Sequence, residues 1–103
     1  MPKVEPVDEA LRALADPGRR RILTIVQSDE RTAGDIAAAL PITWPAVSQH
    51  LRVLKGAGLI AERRAGTRRY YRARPEGLAE VRAFLDGFWE EKLQTLKREV
   101  ERG

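Results

Sequence analysis

The side chains with the clearest potential for chemistry lie in the segment TWPAVSQHLR, residues 43–52. The Gln49 amide can pair bidentately with adenine and the Arg52 guanidinium with guanine, while the Ser48 hydroxyl can contact several base edges or a phosphate. No acidic residue occurs between Asp35 and Glu62, which suits a surface that approaches phosphates. A solvated helix face would more often carry Glu and Lys. The pattern therefore favours double-stranded DNA as the partner over an exposed face without a ligand.

Enzymatic and metal chemistry are not indicated by the residue inventory. The chain has no cysteine and one histidine, His50, so disulfides, thiolate metal sites and thiol nucleophiles are excluded. No phosphate-binding loop or nucleophile–base motif is present. We therefore predict a protein that is not an enzyme and needs no metal or cofactor. His50 is interpreted as a structural imidazole or a phosphate contact.

Two short helices joined by a turn position this segment within residues 32–58. Thr32, followed three residues later by an acid, predicts a capped helix start, and Pro41 ends that first helix. Thr43 is the expected N-cap of the second helix, with a proline tolerated in its first turn. An apolar stripe at i, i+4 and i+7 faces the core, formed by Val47, Leu51 and Leu54. The unit is a helix-turn-helix.

The face opposite this stripe, together with the start of the helix, carries the predicted DNA contacts. Trp44 has a second interpretation, in which it packs the helix start against the core. The predicted recognition residues are Thr43, Trp44, Pro45, Ser48, Gln49, His50 and Arg52.

Residues 59–73 predict a β-hairpin that turns at Gly66. Four arginines surround its tip, at Arg63, Arg64, Arg68 and Arg69. They protect a strand edge from aggregation or contact phosphate and the minor groove, and their mutual repulsion favours a polyanion. Residues 52–74 hold eight basic residues and one acid, a net charge of +7, against −1 before and −2 after this stretch. Of Tyr70 and Tyr71, one is expected to pack inward and the other to reach a phosphate.

Three further helices are predicted, over residues 7–15, from Asp16-Pro17 to about Ser28, and from Pro75 onward. The second of these helices is expected to have Asp16 as its N-cap and to bury Ile22, Leu23 and Val26. Asp29-Glu30-Arg31 is interpreted as a connection, with a very short strand as the alternative. Arg19, Arg20 and Arg21 are interpreted as a solvated face. The apolar stripe of the last helix exceeds what so small a core can cover, so burial in a homodimer is favoured over folding back onto the same core. The predicted dimer interface comprises Val7, Leu11, Leu14, Leu85, Phe88, Trp89, Leu93 and Leu96.

Length and composition predict one domain over residues 1–103. The start MPKVEPVDEA lacks the apolar segment of a signal peptide and no apolar run reaches membrane-spanning length, so a cytoplasmic location without membrane contact is expected. The fold class is mainly α with a small β-hairpin, in the order α1-α2-α3-α4-β-β-α5, with the terminal helices in the dimer interface.

The sequence resembles the ArsR-type family of winged helix-turn-helix repressors. The resemblance rests on LADPGRRRIL (14–23), ERTAGDIAAAL (30–40), PAVSQHLRVLKGAGLI (45–60), GTRRYYRA (66–73) and FWEEKLQTLK (88–97). It implies a homodimer that binds an inverted-repeat operator through the second helix of the helix-turn-helix and the wing. Thr32 and Gly34 occupy the cysteine positions of metal-sensing members, and the last helix has no histidine. The resemblance therefore extends to the cysteine-free branch and not to metal sensing.

Two alternative functions are also compatible with the sequence. The basic face of a winged helix can dock an acidic partner protein instead of DNA. A repressor can also be relieved by a small molecule between the terminal helices, where Phe84, Phe88 and Trp89 would line a pocket; whether an inducer exists, and which, is unknown from the sequence.

Overall fold

Five helices and three short strands follow one another along residues 5–102, the part of the chain that the computed structural model describes. In chain order they are α1 (Pro6–Leu14), α2 (Pro17–Ser28), β1 (Arg31–Thr32), α3 (Ala33–Ala39), α4 (Trp44–Gly56), β2 (Ile60–Ala65), β3 (Arg68–Ala73) and α5 (Pro75–Arg102). The α-helical class and the helix-turn-helix formed by α3 and α4 agree with the prediction.

The starts of α3 and α4 are set by local side-chain caps. The Thr32 hydroxyl accepts from the Asp35 amide at 3.1 Å, and the Asp35 carboxylate accepts from the Thr32 amide at the same distance. At α4 the Thr43 hydroxyl accepts from the Ala46 amide at 3.3 Å. These bonds satisfy backbone donors that have no helical partner, so the predicted helix starts are confirmed.

The start of α2 also stabilises the end of α1. Asp16 caps α2 by accepting from the Arg19 amide at 3.1 Å. The Arg19 Nε donates to the Ala13 carbonyl at 2.6 Å, and Arg20 donates to the Leu14 carbonyl at 2.6 Å. The interpretation of these two arginines as a merely solvated face was therefore wrong, because they satisfy carbonyls that the last turn of α1 leaves unpaired.

The sheet has three strands, in the order β1-β3-β2, all antiparallel. The predicted hairpin is present: Ala65 pairs with Arg68 across a two-residue turn in which Gly66 has a φ of +63°, the region that glycine adopts without strain. The element order predicted from the sequence lacked β1, although a very short strand was one interpretation of Asp29-Glu30-Arg31; in the structure β1 covers Arg31–Thr32, and its Thr32 pairs with Tyr70. This two-residue strand is too short to show a periodic pattern.

The core lies between α2, α3, α4 and the start of β2. The predicted core positions of α2 and α4 are buried, as is Ile36 of α3. The first helix contributes Ala10 and Ala13, while its Leu11 and Leu14 are partly buried against the same cluster. The largest fully buried side chains of this core are Ile22, Ile36, Leu54, Leu59, Ile60, Val26 and Val47.

The last helix approaches the core through a backbone contact and then leaves it. A Cβ atom on Gly77 would lie only 2.1 Å from the carbonyl oxygen of Gly58, so the first turn of α5 requires a residue without a side chain at that position. Beyond this turn Val81 is the one fully buried residue of α5. From residue 82 to residue 102 every side chain is exposed.

Candidate nucleic-acid interface

The outward face of α4 displays the polar residues predicted to read bases. Ser48, Gln49 and Arg52 are exposed, on the side opposite the buried stripe of Val47 and Leu51. Among the described residues of the chain, no hydrogen bond or ion pair engages these three side chains. An amide, a hydroxyl and a guanidinium are thus presented together on a rigid helix, as base recognition in a major groove requires.

The start of α4 places three further candidates around this face. Trp44 is 58% exposed, and its indole ring lies against the backbone of Gly34 in α3, where an added Cβ would be 3.6 Å away. The ring therefore packs on the preceding helix, which is one of its two predicted roles, and keeps an open face; its contact with DNA stays a prediction. Pro45 is exposed beside it, whereas the Thr43 hydroxyl is already occupied by the helix cap.

The structure turns His50 away from the recognition face. Its imidazole is 17% exposed, and its Nε2 lies 3.9 Å from the Asp16 carboxylate at the start of α2. The ring also lies close to Gly18, where an added Cβ would be 3.1 Å from Nε2. His50 therefore packs α4 against α2, which is the structural role, and it does not join the predicted base-reading residues.

The four wing arginines divide into two pairs with different surroundings. Arg63 donates to the Glu30 carboxylate at 3.0 Å and lies 4.9 Å from the Tyr70 ring centre, in a cation–π contact. Arg69 lies 3.2 Å from Glu62. For Arg64 and Arg68 no such ion pair is found within residues 5–102, and both are exposed. The wing thus presents two guanidinium groups without an ion pair among the described residues, Arg64 and Arg68, and two that are paired with carboxylates, Arg63 and Arg69.

The two tyrosines separate as predicted, one on each face of the hairpin. Tyr71 is partly buried against the core, while Tyr70 alternates to the other face and lies under Arg63. The hydroxyl of Tyr70 as a phosphate donor stays a prediction.

Glu62, the one acid in the basic stretch, lies between the wing and α4. Its carboxylate accepts from the Lys55 ammonium at 2.5 Å and its side chain is 13% exposed. The hydrogen bond from Lys55, together with the nearby charges of Lys55, Arg69 and Arg64, holds the pKa of Glu62 below its ordinary value despite partial burial. No role for Glu62 could be predicted from the sequence, because its partners Lys55 and Arg69 lie on two other elements.

A polar cleft of about 170 Å³ separates the recognition helix from the wing above this carboxylate. Ser48 and Arg52 line its α4 side and Arg69 its wing side. The recognition face of α4 and the wing are therefore adjacent parts of one positively charged surface.

The terminal helices expose a second, apolar surface. Leu85, Phe88, Trp89, Leu93 and Leu96 are between 47% and 65% exposed, and Phe84 packs edge-to-face on Phe88 with ring centres 5.1 Å apart. The side chains of α1 are better covered: Val7, Leu11 and Leu14 are each half-buried. The described chain has no helix long and apolar enough to cross a membrane.

Comparison with known proteins shows the family of the chain. Residues 16–62, from the start of α2 into β2, match the family described as bacterial regulatory protein, arsR family. The chain is 50% identical over 82 residues to the HTH-type transcriptional regulator Rv2034 of Mycobacterium tuberculosis, covering 80% of this chain and 77% of that relative. It is 40% identical over 65 residues to the transcriptional repressor SdpR of Bacillus subtilis, covering 63% of this chain and 72% of the relative.

A solved structure shows the same architecture. The chain is similar to the homodimeric winged helix-turn-helix DNA-binding domain of Mb0332 from Mycobacterium bovis, determined in solution, with a TM-score of 0.68 and 34% identity over 87% of this chain and 83% of that one. The helix-turn-helix, the arginine-bearing wing and these similarities lead to one conclusion: the chain belongs to the ArsR family of bacterial transcriptional regulators, within which it is a cysteine-free member with a winged helix-turn-helix DNA-binding fold.

Proposed function

We propose that the protein is a homodimeric repressor that binds an inverted-repeat operator in double-stranded DNA. The observation that carries this proposal is the surface formed by the exposed face of α4 and the wing. It lies in a stretch of net charge +7 and presents base-reading and phosphate-contacting side chains side by side. The SdpR relative is named a repressor, which supports repression over activation. The proposal includes a cytoplasmic location, where a repressor of this kind would meet the chromosome.

Two kinds of contact would contribute to binding, one to the bases and one to the phosphates. Gln49, Ser48 and Arg52 would meet base edges in the major groove, where each base pair shows a distinct pattern of donors and acceptors. Arg64 and Arg68 would neutralise phosphates or enter the flanking minor groove, which adds affinity with little dependence on base identity. Trp44, with its open ring face, is positioned for an apolar contact with a thymine methyl group.

A homodimer follows from the exposed stripe of α5. Six large apolar side chains between Phe84 and Leu96 are each more than two-fifths exposed, and a second copy of the same helix would bury them on both chains at once. The Mb0332 domain, which is homodimeric, supports this arrangement. Two recognition helices related by a two-fold axis would enter successive major grooves about 34–36 Å apart, hence the inverted repeat.

Selection of bound duplexes from random DNA tests the proposal directly. We expect a two-fold symmetric site whose half-sites are separated by about one helical turn, 10–10.5 base pairs. Binding should weaken steeply as salt rises, because each neutralised phosphate releases counterions. A chain that enriches no duplex, or that binds an acidic protein instead, would contradict the proposal.

Two substitutions test the division between base and phosphate contacts. Gln49→Ala should cost about 1–3 kcal/mol at its cognate base pair and relax specificity there. Arg68→Ala should weaken operator and random DNA alike and lower the salt slope by about one. Arg98→Ala removes the same charge from the exposed end of α5 and is the matched control, expected to change neither quantity. Equal losses on operator and random DNA for both Gln49→Ala and Arg68→Ala would contradict the division.

A further inference from the structure

Glu62 is an acid at the centre of a surface that the proposed function requires to be basic. Residues 52–74 hold eight basic residues and this single carboxylate. It is not displaced to the solvent side of the wing, because its side chain is 13% exposed and lines the cleft between α4 and the hairpin. A carboxylate here lowers the net attraction for DNA, so its position calls for a compensating role.

The contacts of Glu62 join three elements. Glu62 belongs to β2, its carboxylate accepts from Lys55 in the last turn of α4 at 2.5 Å, and it lies 3.2 Å from Arg69 of β3. Lys55 donates a charge-assisted hydrogen bond to Oε2, the stronger kind of contact. Arg69 meets Oε1 of the same carboxylate as an ion pair without a hydrogen bond. One part-buried carboxylate thus links a cation of α4 to a cation of β3.

The strand register explains why a negative charge is needed at this place. Arg64 lies directly opposite Arg69 in the β2–β3 pairing, and Glu62 lies opposite Tyr71. Side chains two residues apart share one face of a strand, so Glu62, Arg64 and Arg69 lie on the same face of the hairpin. Like charges directly opposite each other destabilise a strand pair, and the carboxylate offsets that repulsion on the face turned toward α4.

We propose that Glu62 is a positioning residue that locks the wing to the recognition helix and so sets how strongly the protein prefers its operator over random DNA. This inference rests on the proposed function. With Lys55 and Arg69 held by Glu62, the wing and α4 meet the duplex in one relative orientation, in which base contacts and phosphate contacts are satisfied together. Without the carboxylate, both cations become available to phosphates of any sequence, and the orientation is no longer fixed.

Glu62→Gln tests the inference, because it keeps the shape of the side chain and removes the charge. The matched control is Glu30→Gln. Glu30 precedes β1 and pairs at 3.0 Å with Arg63, whose side chain lies on the other face of the hairpin from Glu62. Each variant would be titrated with the selected duplex and with a random duplex at several salt concentrations, using the full-length protein.

The two variants should differ in specificity, while both should steepen the salt dependence. Both release cations toward phosphates, so we expect the salt slope on random DNA to steepen by about one to two for Glu62→Gln and about one for Glu30→Gln. The ratio of operator to random affinity should fall about tenfold for Glu62→Gln, comparable to one mismatched base pair. It should stay within about twofold of the wild type for Glu30→Gln, because the Glu30–Arg63 ion pair does not include a residue of α4. A purely stabilising role would lower the melting temperature without changing this ratio.

An unchanged operator-to-random ratio in Glu62→Gln would overturn the inference. Should that variant not fold, Lys55→Gln breaks the same link from the side of α4 and leaves the Arg69 pair in place. It should lower the ratio while leaving the salt slope unaltered, and an unaltered ratio would again overturn the inference. A wild-type chain that selects no duplex overturns the proposed function itself, whereas a selective wild type with an equally selective Glu62→Gln overturns only the role of Glu62.

Discussion

Gly77 lies where the first turn of α5 meets the backbone of Gly58, so we expect Gly77→Ala to destabilise the protein strongly although it adds only one methyl group. An added Cβ would lie 2.1 Å from the carbonyl oxygen of Gly58 and 2.9 Å from its carbonyl carbon. Neither neighbour is the end of a flexible side chain. Either α5 or the loop between α4 and β2 must therefore move by roughly 1 Å to restore an ordinary van der Waals contact.

The size of the loss follows from what that movement disturbs. The Gly58 carbonyl also accepts from the Arg74 guanidinium at 3.1 Å, and the Arg74 amide donates to the Leu59 carbonyl at 2.8 Å. Overpacking costs about 1–3 kcal/mol, and weakening these two bonds adds about 1 kcal/mol each. The helical preference of alanine returns at most about 1 kcal/mol. We expect a net loss of about 2–4 kcal/mol in the free energy of unfolding.

Thermal and chemical unfolding, followed by circular dichroism, measure this loss. For a domain of this size about 1 kcal/mol corresponds to roughly 4–8 °C, so the midpoint should fall by about 10–25 °C. All proteins must be compared at one chain concentration, because dimerisation contributes to apparent stability.

Gly87→Ala is the matched control, since it makes the same chemical change in the same helix. No atom lies within 4 Å of a Cβ at Gly87, so alanine there should stabilise the protein by about 0.5–1 kcal/mol through helix propensity alone. If Gly77→Ala and Gly87→Ala were equally stable to within about 0.5 kcal/mol, the argument that the close approach of α5 requires glycine would be refuted.

Three further perturbations test the other surfaces and caps. Trp89→Glu places a charge where the side chain is 65% exposed, and should give monomers by sedimentation velocity, whereas Gln94→Glu on the same helix should stay dimeric. Hydrogen bonds from the backbone and hydroxyl at the N-cap of α3 lower the pKa of Asp35 below its usual 3.8, so its stabilising effect is complete above that value and is lost as the pH falls through the lowered pKa. The stability difference between the wild type and Asp35→Asn should thus shrink in acid, and a constant difference across that pH range would argue against the cap. Arg19→Met removes the guanidinium bonds to the end of α1 and should cost about 1–2 kcal/mol in denaturant unfolding; no loss would contradict the capping role.

The features that could be predicted from sequence are those determined by neighbours within a few residues. The N-caps at Asp16, Thr32 and Thr43 each involve a partner three residues along the chain. The apolar stripe of α4 depends only on helical periodicity, and the left-handed backbone at Gly66 only on its turn. Local patterns of this kind are visible in a single sequence, and all of these predictions are confirmed.

The features that could not be predicted join residues distant in sequence. Arg63 and Glu30 are 33 positions apart. They meet only because β3 pairs with both β1 and β2, so that Arg63 reaches the residue before β1 across the Tyr70 ring. The turning of His50 toward Asp16 depends on the packing of α2 against α4. In the same way β1 exists only because β3 offers it unpaired backbone groups. No pattern of charge or hydropathy in the sequence specifies these pairings.

The amino-acid sequence therefore determined the helix-turn-helix, the wing and the concentration of positive charge, because capping, periodicity and composition act over short distances. Only the tertiary structure decided which of those charges are available. It pairs Arg63 and Arg69 with carboxylates and leaves Arg64 and Arg68 without an ion pair among the described residues. The physical reason is that a side chain's electrostatic environment depends on the elements packed around it, which chain order alone does not specify.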